Sequence, residues 1–256
     1  MNPLFNTFYT RTKYLLFRSL YTTTHLAVFC LFGKKWDRAV PPHRRSCIII
    51  CGAECGNPSA RERIEVFLAW LNKNHADKNP VIFSKKVQKE LPGTGVFPRQ
   101  IPWEWQTRAR LIHPVMKLIY PKAPFFQENK IREIAVNSCA IYDLGLHQLS
   151  SLRDTGWTAN VLANIVFARR YAIPYIMAPQ YFGPFRYRPR VLDLIYRAMI
   201  KKIIPYATLI GAIDESSHSF ISAITDKTFL QADLLLFLEL QRNIPMFLDD
   251  SAQNFL

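Results

Sequence analysis

The stretch from residue 172 to residue 185 constrains the fold of this chain more than any other. Residues 175–177 form a short apolar run, which predicts a buried strand, and Pro174 suits the start of that strand because a missing N–H is tolerated there. Gln180 follows the run, and Gly183-Pro184 predicts a turn. In open α/β sheets, ligands bind outside the carboxyl ends of the strands. This loop is therefore the first place to look for chemistry.

The same pattern of a strand, a polar loop and a helix recurs along the chain. The run 47–51 is short, rich in isoleucine and followed by the Gly-containing segment 52–60. From Arg61 to Asn74, four apolar residues share one helical face, namely Ile64, Phe67, Leu68 and Leu71. Further strands are predicted at 80–84, 140–143 and 207–212, with acidic and serine residues capping a helix after Asp214. These units predict an α/β fold with a Rossmann-like parallel sheet and helices on both faces.

The charge of the chain points to an anionic partner. Of 256 residues, 49% are hydrophobic and 20% are charged, a globular composition, and the net charge is +14. An acidic membrane leaflet, a phosphorylated small molecule or a nucleic acid fits that charge. However, residues 1–45 carry eight Lys and Arg against one Asp, so half of the excess precedes the predicted core. Since a nucleic-acid binder carries its basic face on the folded domain, we expect no nucleic-acid partner.

Two domains are predicted: a basic amphipathic arm over residues 1–45 and a Rossmann-like domain over residues 46–256. The apolar runs 14–17 and 26–32 of the arm are interrupted, whereas a spanning helix needs about 20 consecutive apolar residues. The arm either lies on a membrane surface or packs on the domain itself, and the sequence leaves both readings open.

The cysteines are interpreted as small buried thiols rather than metal ligands. There are five, at Cys30, Cys47, Cys51, Cys55 and Cys139. Three of them are spaced four apart, but the apolar run 48–50 predicts a strand between the first two, and zinc-spaced histidines are absent. No metal site is expected.

A second group of polar residues follows the predicted strand 140–143. Asp143, His147 and Ser150 are candidates for hydroxyl binding or proton transfer. The alternative for His147 is a hydrogen-bonded surface or core histidine, and nothing in the spacing brings the three together as a triad.

Four segments in order along the chain resemble motifs of the polysaccharide pyruvyl transferase family. They are Gly52–Ala60, which is similar to the opening loop G-A/N-x-x-G-N-x-G-A/D-E; Asp143–Ser150, similar to D-I-S-G-x-x-L-S; Ile173–Phe185, similar to K-P-V-x-x-x-G-Q-S-I-G-P-F; and Ala207–Ser217, similar to A-D-L-I-x-x-R-D-E-E-S. Their order and spacing agree with the family, so the resemblance covers about residues 46–240.

The resemblance implies half of a GT-B fold, in which two Rossmann-like domains enclose a cleft. It implies a transferase that moves the pyruvyl group of phosphoenolpyruvate onto a glycan as a ketal, in exopolysaccharide biosynthesis for the cell envelope. Phosphoenolpyruvate is then the donor substrate, with no separate cofactor. Under this hypothesis Asp143 or His147 moves protons, and the substrate-binding residues are Gly52, Gly56, Asn57, Ser150, Gln180, Gly183, Pro184 and Arg186.

The chain also departs from the family pattern. Ser59 stands where the family loop has glycine, the glycine of the second segment is displaced to Gly145, and Ile213 replaces an arginine. The chain ends about where the second domain should begin, so we expect a shortened or inactive member, or one that acts with a partner chain.

Two other functions stay open. One is a GT-B-like glycosyltransferase that uses a nucleotide-sugar, and the other is a non-catalytic glycan- or membrane-binding domain. In each case we expect a cytoplasmic protein with a glycan or lipid-linked saccharide as partner. If the arm lies on a membrane surface rather than on the domain, we expect it at the inner face of the membrane.

Overall fold

The computed structural model describes residues 45–53, 58–83, 99–101, 133–147, 149–151, 155–187 and 190–242. Of the predicted arm, only Arg45 belongs to these residues. Its side chain is buried, and its Nη1 donates to the carbonyl of Ser138 at 3.0 Å. Of the predicted site residues, Gly56 and Asn57 lie outside the described residues.

Within the described residues, seven strands form one sheet in which every pair is parallel. The strands are β1 Cys47–Cys51, β2 Asn79–Phe83, β3 Arg99–Ile101, β4 Ser138–Asp143, β5 Tyr175–Gln180, β6 Leu209–Ala212 and β7 Thr228–Leu230. Their order is β3-β2-β1-β4-β5-β6-β7. The first six follow the order of the Rossmann fold, and β7 extends the sheet beyond β6. The predicted Rossmann-like α/β fold is confirmed.

Five helices follow strands along the described chain, and they cover both faces of the sheet. They are α1 Pro58–Asn74, α2 Thr155–Arg170, α3 Arg190–Ile203, α4 Glu215–Ser222 and α5 Leu234–Arg242. A short 3-10 turn at Ile204–Tyr206 extends α3. No helix in the described part of the chain is both long and apolar enough to cross a membrane.

Alternation along the strands separates the core into two halves. Ile49 and Met177 belong to the cluster that packs against α2, α3 and α4, while Ile50 and Ile176 belong to the cluster that packs against α1 and α5. Successive side chains of a strand point to opposite faces, so strands covered on both faces need continuous apolar runs. That requirement explains the Cys-Ile-Ile-Ile-Cys sequence of β1.

The predicted amphipathic face of α1 is confirmed, because Ile64, Phe67, Leu68 and Leu71 are all buried. The predicted start of that helix at residue 61 is wrong. The helix begins at Pro58, since the fixed φ of proline suits a first helical turn and its missing N–H costs nothing there. The loop after β1 is accordingly three residues shorter than the segment 52–60.

The predicted cap at Asp214 is confirmed. Asp214 is the N-cap of α4, and its Oδ1 accepts a hydrogen bond from the backbone N–H of Ser217 at 2.7 Å. Asp233 does the same for α5, where its Oδ1 accepts the N–H of Leu236 at 2.8 Å. Each acid stabilises otherwise unpaired N–H groups in the first turn of a helix.

Candidate functional site

The chain reverses its direction of progress across the sheet between β1 and β4. From β1 the next strands are added on one side, through β2 to β3, and the chain then returns to place β4 on the other side of β1. In open α/β sheets, the ligand crevice lies at such a switch point, outside the carboxyl ends of the two strands. The candidate site is therefore at the carboxyl edge of β1 and β4.

Backbone hydrogen bonds join the loops that leave this edge. The N–H of Leu144, after β4, donates to the carbonyl of Cys51 at the end of β1, at 2.9 Å. The N–H of Tyr181, after β5, donates to Leu146 at 2.8 Å, and that of Ile213, after β6, donates to the last residue of β5 at 3.2 Å. These hydrogen bonds connect the end of β1 with the loops after β4, β5 and β6 along the carboxyl edge.

Asp143 is the last residue of β4 and is fully buried. Its Oδ2 accepts the hydroxyl of Tyr175 at 2.5 Å, and its Oδ1 accepts the N–H of Gly145 at 2.9 Å. Burial raises the pKa of this carboxyl above its ordinary value, and the two hydrogen bonds and the charge of Arg63 only partly offset that rise. Asp143 is therefore held more readily in its protonated form than an exposed aspartate.

Gly52 lies against this carboxyl. Its φ is +81°, and a Cβ at this position would lie 1.8 Å from Oδ1 of Asp143 and 2.8 Å from the N of Gly145. Only glycine combines this backbone conformation with such a close approach. The predicted loop-shaping role of Gly52 has a direct structural basis.

Cys51 lies on the same side of the sheet, beneath the loop. Its Sγ is 3.7 Å from the hydroxyl of Tyr175, and Asn164 of α2 also bonds to it. Burial, followed by the negative charge of Asp143, raises the pKa of Cys51 well above its ordinary value. The buried thiol predicted here is confirmed, and its protonated state makes it a poor nucleophile.

Cys47 and Cys139 are free and partly buried at the opposite edge. No group of three His, Cys, Asp or Glu side chains in the described ranges is arranged to hold a metal ion.

Arg63 was not predicted from the sequence as a site residue. It projects from α1 across the carboxyl edge, where its Nε donates to the carbonyl of Leu144 at 3.0 Å and its Nη2 to that of Pro179 at 2.7 Å. Burial lowers its pKa to about 10, against the opposing effect of the Asp143 charge. The sequence did contain a signal for this role, because Arg63 is a cation in the second turn of a helix that follows a Gly-containing loop. Arg63 supplies positive charge at the switch point.

Gln180 ends β5 and is fully buried. Neither its Oε1 nor its Nε2 has a hydrogen-bond partner among the described residues. Buried amides are normally paired. The predicted role of Gln180 in hydrogen bonding to sugar or phosphate stays a prediction.

His147 stacks on Tyr181, which no sequence pattern singled out. The ring centroids are 4.4 Å apart and the planes differ by 4°. Both residues are exposed at the carboxyl edge. His147 is thus a surface histidine in a fixed orientation, accessible to a ligand.

The remaining predicted residues lie in one hydrogen-bonded strip beside the loop after β4. Ser150 Oγ donates to the carbonyl of Gly183 at 2.7 Å, and Gly183 has a φ of +70° before a cis peptide bond to Pro184. The N–H of Arg186 donates to Ser151 Oγ at 3.0 Å. Ser150 of the loop after β4 therefore holds Gly183, and with it Pro184, of the loop after β5.

Comparison of the chain with protein-family models, with curated proteins and with solved structures found no match.

Proposed function

We propose that this chain is a transferase of the polysaccharide pyruvyl transferase type, with phosphoenolpyruvate as donor and a glycan as acceptor. One observation carries the proposal. The four segments that resemble the family motifs lie 91, 30 and 34 residues apart in sequence at their starts, yet each includes the loop at the carboxyl end of one of four neighbouring strands, β1, β4, β5 and β6. This placement supports the proposal, because the ligand-binding residues of open α/β sheets lie on the loops at the carboxyl ends of the strands.

The reaction needs positive charge for a phosphate and a carboxylate. Arg63 supports this requirement, because its Nη1 has no partner among the described residues while the other two nitrogens are fixed by carbonyls. The N-terminal turn of α1 adds backbone N–H groups that favour anions. Arg186 is exposed on the neighbouring loop and supplies a second cation.

The reaction also needs proton transfer. In the ketal-forming step, C3 of phosphoenolpyruvate gains a proton, two C–O bonds form between C2 and the sugar oxygens, and the bond from C2 to the phosphate oxygen breaks. One hydroxyl proton of the acceptor ends on C3 and the other on the released phosphate. His147 is accessible for this transfer. Asp143 is fully buried, so in this proposal it acts on the loops at Gly52 and Gly145 rather than on substrate.

A nucleotide-sugar glycosyltransferase is the second candidate. The strand order of β1 to β6 is that of sheets that bind dinucleotides, which supports a nucleotide ligand at the same switch point. The two donors differ in one group: a nucleotide-sugar carries an adenine- or uracil-type base, and phosphoenolpyruvate carries none.

Calorimetric titration of phosphoenolpyruvate and of UDP-sugars separates the two candidates. We expect phosphoenolpyruvate to bind with a measurable heat. Arg63→Lys should lower the binding affinity at least about tenfold, because lysine cannot keep both hydrogen bonds to the carbonyls and still face the donor. Arg61→Lys is the matched control, because Arg61 on the same helix pairs with Glu65 at the surface.

Phosphate release in the presence of candidate glycans then tests turnover. Donor binding without release supports the non-catalytic alternative, and heat only with UDP-sugars supports the glycosyltransferase. The proposed cytoplasmic location and the membrane contact of residues 1–45 belong to the same proposal, with a lipid-linked saccharide as acceptor.

A further inference from the structure

Helix α3, Arg190–Ile203, has two apolar stripes where a surface helix needs one. The inner stripe consists of Tyr196, Met199, Ile200 and Ile203, all buried against the domain. That stripe accounts for the packing of α3 on the sheet. A second stripe on the outer side requires another explanation.

The outer stripe consists of Val191, Leu194, Ile195 and Ala198, at spacings i, i+3, i+4 and i+7. Val191 is 65% exposed and Leu194 is 64% exposed. Scattered exposed apolar residues are ordinary, but a continuous stripe rimmed by polar residues marks an interaction surface.

The rim of this stripe is basic. The helix carries four basic residues against one acid, Asp193. Asp193 already pairs with Arg197 at 3.0 Å and accepts the N–H of Tyr187 at 2.7 Å. The other basic residues, Arg190, Lys201 and Lys202, are exposed.

An apolar stripe bordered by lysine and arginine matches an anionic lipid surface. The apolar side chains enter the boundary between headgroups and acyl chains, while the cations meet lipid phosphates. A protein partner would need a complementary acidic rim, whereas an anionic leaflet presents negative charge around any apolar insertion. We propose that the outer face of α3 docks on an anionic bilayer surface.

The location of the helix adds to this inference. It begins immediately after the loop that follows β5, so Val191 and Leu194 lie near the carboxyl edge that holds the candidate site. A bilayer on this face brings lipid-attached molecules to that edge. Docking of α3 on a bilayer does not require the proposed transfer reaction, and it involves α3 rather than the arm over residues 1–45.

The test is co-sedimentation of the full chain with two kinds of vesicle. One consists of phosphatidylcholine alone, and the other also contains about one third phosphatidylglycerol, an anionic lipid. We expect binding to the anionic vesicles, reduced by added salt. Val191→Glu/Leu194→Glu should weaken it at least about tenfold, and Arg190→Gln/Lys201→Gln should lower its salt dependence.

The matched control is Leu235→Glu/Leu236→Glu on α5, where the two leucines are 48% and 56% exposed. It adds the same charge at similar exposure, so it should bind like the unaltered chain. Circular dichroism on each variant verifies folding. Because these side chains are exposed, loss of folding is not expected.

Two outcomes would overturn the inference. One is equal vesicle binding by the α3 variant and the α5 control. The other is a dimer in light scattering that the α3 variant converts to a monomer without loss of vesicle binding, which would assign this face to a second copy of the chain.

Discussion

Oδ1 of Asp143 occupies the space that a side chain on Gly52 would need, with only 1.8 Å between that oxygen and a Cβ built on the glycine. Gly52 directly follows β1, and Asp143 ends the neighbouring parallel strand β4, at the switch point of the sheet. The carboxyl also accepts the N–H of Gly145, so it fixes the start of both loops that border the candidate site. The buried carboxyl of Asp143 thus holds the first residues of the loops after β1 and β4 in place.

Gly52→Ala should destabilise the protein by about 3 kcal/mol, from the unfavourable φ and the displaced carboxyl together. The measurement is urea unfolding of Gly52→Ala, Asp143→Ala and the double variant. Because the clash is largely with the Asp143 side chain, the double variant should be more stable than the sum of the single losses predicts, by about 1 kcal/mol or more. Strict additivity would mean that the two side-chain positions are independent.

Asp143→Asn should change how stability depends on pH. The raised pKa of Asp143 means that the folded protein holds this proton more tightly than the unfolded chain does. Its contribution is therefore complete below about pH 4, the ordinary aspartate value, and is lost as pH rises through the folded pKa. Over that interval the unaltered protein should lose about 1.4 kcal/mol per pH unit relative to the variant. Parallel unfolding curves from pH 4 to pH 8 would contradict a raised pKa.

Arg63→Lys should cost about 1–3 kcal/mol of the free energy of unfolding, since lysine cannot donate to the carbonyls of Leu144 and Pro179 at once. Arg61→Lys alters a surface pair with Glu65 and should change stability by less than about 0.5 kcal/mol. Chemical denaturation of both variants measures the difference. Equal losses would show that Arg63 does not tie α1 to the sheet.

Asp214→Ala should destabilise the protein by about 1 kcal/mol, because the first turn of α4 loses the acceptor for Ser217 N–H. That hydrogen bond lowers the pKa of Asp214, so its contribution is present above about pH 4 and disappears as pH falls through the folded pKa. Thermal unfolding at pH 7 and pH 3 measures both effects. A variant as stable as the unaltered protein at pH 7 would exclude capping as the role of Asp214.

The parts of the fold that sequence predicted are those encoded by local patterns. The apolar run at β5, the helical face of Ile64 and Leu71 and the cap at Asp214 each depend on residues within two turns of one another. Periodicity and capping chemistry therefore identified them. The start of α1 was missed because Pro58 is equally compatible with a loop and with a first helical turn.

The site was less predictable because its contacts depend on strand order. Asp143 and Tyr175 are 32 residues apart, and their hydrogen bond exists only because β4 and β5 pair with Ile141 opposite Tyr175. The contacts of Arg63 with the ends of β4 and β5 likewise follow from the position of α1 over the sheet. No single segment of sequence contains that information.

We propose that the loops after β1, β4 and β5 form one site for an anionic donor. Hydrogen–deuterium exchange of the full chain, with and without saturating phosphoenolpyruvate, measures whether they do. We predict slower exchange in peptides that cover residues 52–60, 143–151 and 180–187, and unchanged exchange at the opposite edge, in residues 171–174 and 204–208. Unchanged exchange throughout, or protection only at the opposite edge, would contradict the claim.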